Sequence, residues 1–171
     1  MQGIIIYKGK YGATQQYAAW LSAALNIPAV TGGGETKDQL EDADYIIMGT
    51  SVYIGKLQLR DWVKKNKGLL AGKKLFLYLV AGTPATEKEK LKGYITAGIG
   101  ADISNKCTCF FLPGKLEFRK LSWMDKCLLT IGAKLAKGRG ESISVTDYND
   151  VKAERLSELI ASVRKLSEVS V

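Results

Sequence analysis

Gly3-Ile4-Ile5-Ile6-Tyr7-Lys8-Gly9-Lys10-Tyr11-Gly12-Ala13-Thr14 is the stretch that decides the fold. Its first five residues form an apolar, β-branched run without polar alternation, the pattern of a parallel strand covered on both faces. A loop of glycines and lysines, Lys8 to Gly12, follows at once. From Ala13 to Leu25 the apolar residues change period, and Tyr17, Ala18, Leu21, Ala24 and Leu25 share one helical face. Strand, short loop and helix make the opening half of a β-α-β unit.

The rest of the chain repeats that alternation. Ile27-Pro28-Ala29-Val30 reads as a short second strand, with Pro28 favouring its start or an edge. Thr31-Gly32-Gly33-Gly34 breaks the chain, and Lys37 to Ala43 is a helical turn. Tyr45-Ile46-Ile47-Met48 is expected as a third strand that stops at Gly49. Gln58 to Asn66 reads as a helix with Trp62 and Val63 inward. Leu75 to Val80 is the clearest buried strand and ends at Ala81-Gly82-Thr83-Pro84. Glu87 to Ile95 reads as a solvated helix, and Thr108 to Leu112 as a fifth strand ending at Pro113-Gly114. Ser142 to Val145 is expected to add a strand piece. Asp147 is expected to cap a last helix bearing Val151, Leu156, Leu159, Ile160, Val163 and Leu166. Five strands alternating with helices argue for an α/β fold: an open parallel sheet with helices on both faces and right-handed crossovers. No repeat or linker interrupts it, so residues 1–171 read as one domain.

Composition narrows the chemistry. The 171 residues are 46% hydrophobic, 25% charged and 9% aromatic, which is ordinary globular usage. There is no histidine, so His-based triads, His general bases and most catalytic zinc sites are excluded. Cys107, Cys109 and Cys127 form no C-x-x-C pair; they read as buried apolar thiols in a reducing compartment. No apolar run reaches the ~20 residues that cross a bilayer, and Met1-Gln2-Gly3-Ile4 has no signal-peptide pattern. The expected location is cytoplasmic. Lys and Arg number 25 against 17 Asp and Glu, a net charge of +8. Residues 113–139 alone hold seven basic and two acidic groups. Such a field favours anionic ligands or surfaces.

Ligands of open parallel sheets bind beyond the carboxyl ends of the strands. Three segments leave those ends here: Lys8 to Thr14, Thr50 to Lys56, and Ala81 to Thr86. The first joins a strand to a helix start and offers Lys8, Gly9, Lys10, Tyr11, Gly12, Ala13 and Thr14. Backbone N–H groups and the positive helix end suit a phosphate there. It is neither a P-loop nor a G-x-G-x-x-G turn, and a tight turn with exposed lysines is the plain alternative. In the second, Thr50, Ser51, Val52, Tyr53 and Ile54 lie between Gly49 and Gly55, and Tyr53 stands where a planar ring could stack; packing over its own loop is the alternative. Ala81, Gly82 and Thr83 would meet the edge of such a ring. The triple glycine at 32–34 precedes no long helix and reads as a flexible connection.

Strand order and the three loops together resemble a flavodoxin, a carrier of flavin mononucleotide (FMN). The closer resemblance is to the flavodoxin-like, quinone-dependent protoporphyrinogen dehydrogenases of bacteria. It is carried by Tyr11-Gly12-x-Thr14, Gly49-x-Ser51-Val52-x-x-Gly55, Trp123-x-Asp125-Lys126, Lys137-Gly138-x-Gly140-Glu141 and Thr146-Asp147-Tyr148. The resemblance implies a three-layer, doubly wound sheet of five strands in the order 2-1-3-4-5, with a basic helical insert at about 113–141. It implies FMN, with phosphate on the first loop and the ring between the second and third. It also implies an FMN-dependent oxidoreductase that passes electrons from a small redox substrate to a quinone or other acceptor. Where flavodoxin phosphate loops are rich in Ser and Thr, this chain has Lys8, Gly9, Lys10 and Tyr11, keeping Thr14.

The insert carries Trp123, Met124, Cys127, Leu128, Ile131 and Leu135 on one helical face, with Lys126, Lys134 and Lys137 off it. One reading is a helix packed on the sheet edge. The other is peripheral contact of residues 113–139 with the inner face of a membrane. Nucleic acid is not expected, because no base-stacking platform accompanies the charge. Two further classes stay open: an electron carrier without turnover of its own, and a protein of this fold that has lost FMN.

Overall fold

The computed structural model describes residues 1–140 and 145–169. The chain forms two compact units: Met1–Gly114 with Val151–Val171, and Lys115–Asp150.

The first unit is the α/β body. Its strands are β1 (Gly3–Lys8), β2 (Ala29–Thr31), β3 (Tyr45–Tyr53), β4 (Lys56–Leu57), β5 (Lys74–Ala81) and β6 (Cys107–Pro113). Its helices are α1 (Ala13–Leu25), α2 (Lys37–Asp42), α3 (Arg60–Leu70), α4 (Lys88–Ile99), α5 (Ala101–Ser104) and, from the end of the chain, α7 (Ser157–Val169). All of these strands but β4 run parallel, in the order β2-β1-β3-β5-β6. That is the expected doubly wound order of the five strands read from the sequence; β4 is an added antiparallel stub on β3.

Strand periodicity divides the core between the two faces of the sheet. Ile4, Ile6, Ile46, Met48, Leu75, Leu77 and Leu79 face one side and pack with Trp62, Val63 and Leu70 of α3 and with Leu91 and Ile95 of α4. Ile5, Ile47, Phe76, Tyr78 and Val80 face the other, against Tyr17, Ala18 and Leu21 of α1 and Leu159 and Val163 of α7. Strands buried on both sides carry apolar residues at every position, which is why they read as unbroken runs.

Three expectations are corrected. The third strand does not stop at Gly49: β3 continues through Thr50, Ser51, Val52 and Tyr53 and returns as β4. The turn between them, Ile54-Gly55, has φ of 49° and 68°, as two-residue hairpins with the right-handed strand twist require. Gly49 is there for closeness, not for a break. A Cβ on it would overlap the ring of Tyr78 on the neighbouring strand. Asp147 does not cap the last helix. Its carboxylate accepts the Phe118 N–H at 2.7 Å, and α7 starts instead from a 3-10 turn, Ala153–Leu156. Cys127 is exposed, whereas Cys107 and Cys109 are half-buried.

The second unit holds β7 (Lys115–Leu116), α6 (Trp123–Gly138) and β8 (Tyr148–Asn149), with β7 and β8 paired antiparallel. The Ser122 hydroxyl caps α6 by accepting the Asp125 N–H at 3.2 Å. Of the strand expected at 142–145, residues 142–144 lie outside the described residues, as does Glu141 of the glycine motif; Val145 is in no strand.

Candidate functional site

The sheet register brings the carboxyl ends of four strands into line. Lys8 of β1 pairs with Thr50 of β3, Thr50 with Leu79 of β5, and Leu79 with Phe111 of β6. Just beyond this row, β1 turns into α1, β3 runs on into its hairpin, and β5 exits through Ala81, Gly82 and Thr83.

The start of α1 is arranged for an anion. Gly12, at φ 82°, ends the loop in a left-handed conformation that a side chain would strain. Its carbonyl accepts the Gln16 N–H at 2.9 Å. No side chain caps this helix, and its first turn holds no acidic residue. The leading N–H groups therefore present the positive end of the helix dipole without a competing carboxylate. Lys8, Gly9 and Lys10 are exposed beside it, while Tyr11 is half-buried and Ala13 buried.

Thr14 is fully buried, and its carbonyl accepts the Tyr78 hydroxyl at 2.9 Å. This bond pins the first turn of α1 to the central sheet. Burial holds the Tyr78 phenol well above its usual pKa, with Tyr7 adding to the effect. It thus remains a hydrogen-bond donor at any ordinary pH. A second tie runs from the Tyr17 hydroxyl to the Pro113 carbonyl at 2.9 Å. Neither tyrosine is among the site residues expected from the sequence. A glycine opposite an aromatic on the next strand, Gly49 beside Tyr78, is the signal that marks the first of them.

The hairpin meets the first loop at two points. The direction a side chain would take from Gly9 leads onto the Thr14 hydroxyl, with the Ser51 Oγ 3.4 Å from the same point. The Lys10 ammonium lies over the Tyr53 ring, 3.8 Å from its centroid, and 5.5 Å from that of Tyr11. Ser51, Val52 and Tyr53 are half-buried, and Ile54 and Gly55 are exposed at the tip. Thr50 plays a different part: it is buried, and its Oγ1 accepts the Leu59 N–H at 3.1 Å, fixing the entry to α3. Ala81 and Thr83 are half-buried and Gly82 exposed, with Val80 in register beside Ser51. The structure thus joins the first loop to the hairpin directly, and brings in the third segment through strand register.

More cations follow on the entry to α3. Arg60 donates from Nε to Asp61 at 3.0 Å and is the main reason that carboxyl titrates below its usual range; Lys64 and Lys8 act in the same direction. An anion therefore fits the start of α1. The Tyr53 ring, half-buried, carries the Lys10 ammonium on its face.

No curated protein matches the chain. Among solved structures it is similar to a flavodoxin from the domain Archaea, at 18% identity over 62% of this chain and 98% of that one, TM-score 0.41. It is also similar to two-electron reduced Megasphaera elsdenii flavodoxin, at 18% identity over 64% and 82%, TM-score 0.48. A third is oxidised flavodoxin 2 from Bacillus cereus, at 20% identity over 68% and 88%, TM-score 0.45. The family model for the flavodoxin domain matches residues 4–143, and the chain belongs to that family.

Proposed function

We propose that this chain binds FMN and passes electrons from a reduced small-molecule substrate to a quinone or another acceptor. Membership of a family whose members bind flavin, typically FMN, supports the cofactor. The observation that carries the reading is the junction of two segments at the carboxyl ends of the strands. One is the acid-free, uncapped start of α1 flanked by Lys8 and Lys10; the other is the hairpin that carries Tyr53.

When bound, FMN supplies the redox chemistry, and the protein supplies position and field. The N–H groups of Ala13, Thr14 and the rest of the first turn, with Lys8 and Lys10, would hold the phosphate. Charge-assisted bonds from lysine replace the hydroxyls usual in such loops. Tyr53 would stack on the ring, with Ser51, Val52, Ile54 and Gly55 around it and Ala81, Gly82 and Thr83 at its edge. Thr50 would support the site through its bond to Leu59, which fixes the entry to α3. The resemblance in Trp123-x-Asp125-Lys126 and Lys137-Gly138-x-Gly140 favours a dehydrogenase of the protoporphyrinogen type over a plain electron carrier.

One observation favours a second reading, a flavodoxin fold that no longer takes FMN: the Lys10 ammonium covers the face that the ring would use. An absorption spectrum after incubation with FMN and desalting separates the two. A retained flavin band supports the first; a colourless protein supports the second and removes FMN from the proposal. Calorimetry then compares FMN with riboflavin, and equal affinities would take the phosphate out of the argument.

A further inference from the structure

Among the described residues, most of the exposed large hydrophobic side chains lie on one helix of the second unit. Trp123, Met124, Leu128, Ile131 and Leu135 of α6 are exposed, Trp123 at 74%, Leu135 at 62% and Ile131 at 55%. Scattered exposed apolar residues are normal, but a contiguous stripe on a monomeric surface marks a place of contact. At about 100° per residue these five side chains and Cys127 fall in one arc of roughly 140°. The buried residues of the helix, Asp125 and Ala136, point the other way. Lys126 and Lys137 lie outside the Trp123 border of the arc, Lys134 falls just inside that border, and Arg139, past the end of the helix, lies at the Leu128 border.

Charge selects the occupant. Residues 113–139 carry seven basic and two acidic groups, a net charge of +5. A second copy seated on this face would bring two such segments together, so self-association works against electrostatics. The face is convex, a single helix, which suits a soft partner better than a groove-bearing one. Cations on both borders would reach the headgroups on either side of a half-immersed helix, their stems lying along the apolar arc. A tryptophan at one end fits the boundary between headgroups and acyl chains. Sixteen residues span about 24 Å, and one face is polar, so α6 would lie in an interface. Among the described residues no helix is long and apolar enough to cross a membrane.

We propose that α6 is an interfacial helix that seats its Trp123-to-Leu135 face on an anionic lipid bilayer. The inference does not depend on flavin binding, and its test needs none.

The experiment is co-sedimentation of the full chain with phosphatidylcholine vesicles, with and without phosphatidylglycerol, at low and high salt. The protein should pellet with the anionic vesicles at low salt, stay soluble with neutral ones, and be released as salt shortens the Debye length. Trp123 emission should shift to the blue on binding, and Trp123→Phe should abolish that shift. Ile131→Ser with Leu135→Ser leaves the charge unchanged and should lower partitioning at least ~tenfold. Lys126→Gln, Lys134→Gln and Lys137→Gln together should do the same, with far-UV circular dichroism unchanged in both variants. Failure of the intact protein to pellet at low salt would overturn the proposal. So would serine variants that bind like the parent, or a dimer in sedimentation velocity that those serines dissolve.

Discussion

Replacing Gly49 with alanine tests the contact that couples the sheet to the site. Gly49 and Tyr78 are register partners on β3 and β5. A Cβ on Gly49 would overlap Cζ and the hydroxyl of Tyr78 and stand 2.6 Å from Cε1. Ordinary contact begins near 3.4 Å, so the ring must retreat by at least about 0.8 Å in a close-packed interior. Tyr78 is fully buried, edge-on to Tyr17 at 6.3 Å, and its hydroxyl reaches the Thr14 carbonyl at 2.9 Å. A retreat of that size along the bond would take the hydroxyl to about 3.7 Å from that carbonyl, beyond hydrogen-bonding range. Overpacking costs about 1–3 kcal/mol and the lost bond about 1 kcal/mol, so Gly49→Ala should destabilise by about 2–4 kcal/mol. Urea unfolding measures it, in a Trp123→Phe background so that Trp20 and Trp62 report the first unit alone. Tyr78→Leu removes the obstacle, so the double variant should be more stable than the two single losses predict, by on the order of 1–2 kcal/mol. Gly49→Ala within about 0.5 kcal/mol of the parent, or strict additivity with Tyr78→Leu, would refute this packing argument.

Three other outcomes are expected. Ile54 is β-branched yet sits at φ 49°, so Ile54→Asn should raise stability by about 1 kcal/mol in the same urea assay, and a loss would show that the turn is differently built. Burial raises the Cys107 thiol from 9.0 to about 12 and also lifts Cys109 and Tyr78. The folded state then keeps protons that the unfolded chain releases, so this stability is intact below pH 9 and fades as pH rises toward 12; unfolding midpoints that stay flat across that window would contradict it. Lys10→Met should narrow the preference for FMN over riboflavin, because one cation leaves the phosphate and the face of Tyr53 is cleared; an unchanged ratio in calorimetry sinks that role for Lys10.

The five parallel strands were legible because a strand covered on both faces cannot hide polar residues, and glycine or proline marks most of their ends. The same logic misplaces the end of β3. Gly49 looks like a stop until it is set beside Tyr78, and that neighbour exists only after β5 has paired with β3. Asp147 misleads for a similar reason. An aspartate ahead of an apolar helical pattern reads as a cap, but its carboxylate is taken by an N–H twenty-nine residues back, at Phe118. Local patterns carry the elements; the competition for partners is settled over long range.

The site divides along the same line. Its backbone, from the left-handed Gly12 to the uncapped start of α1, follows from strand, loop and helix in order. Its side chains do not. Thr50 has the residue type of a ligand donor, yet its hydroxyl is taken by Leu59. Lys10 reads as a phosphate cation, yet it reaches across to Tyr53. Magnitudes reconcile its two positions. A cation–π contact at an exposed ring is worth about 0.5–1 kcal/mol, whereas a hydrogen bond to a charged group is worth about 1.5–3 kcal/mol. A dianion at the start of α1 would therefore draw the ammonium away from the ring. Under the FMN proposal a single ligand does both jobs: its phosphate moves Lys10, and its ring takes the face of Tyr53 that Lys10 leaves. Under the same proposal a flavin without phosphate would have to displace the ammonium unaided, so Lys10 would add to the discrimination supplied by Lys8 and the N–H groups of α1, beyond what its position in the sequence reveals.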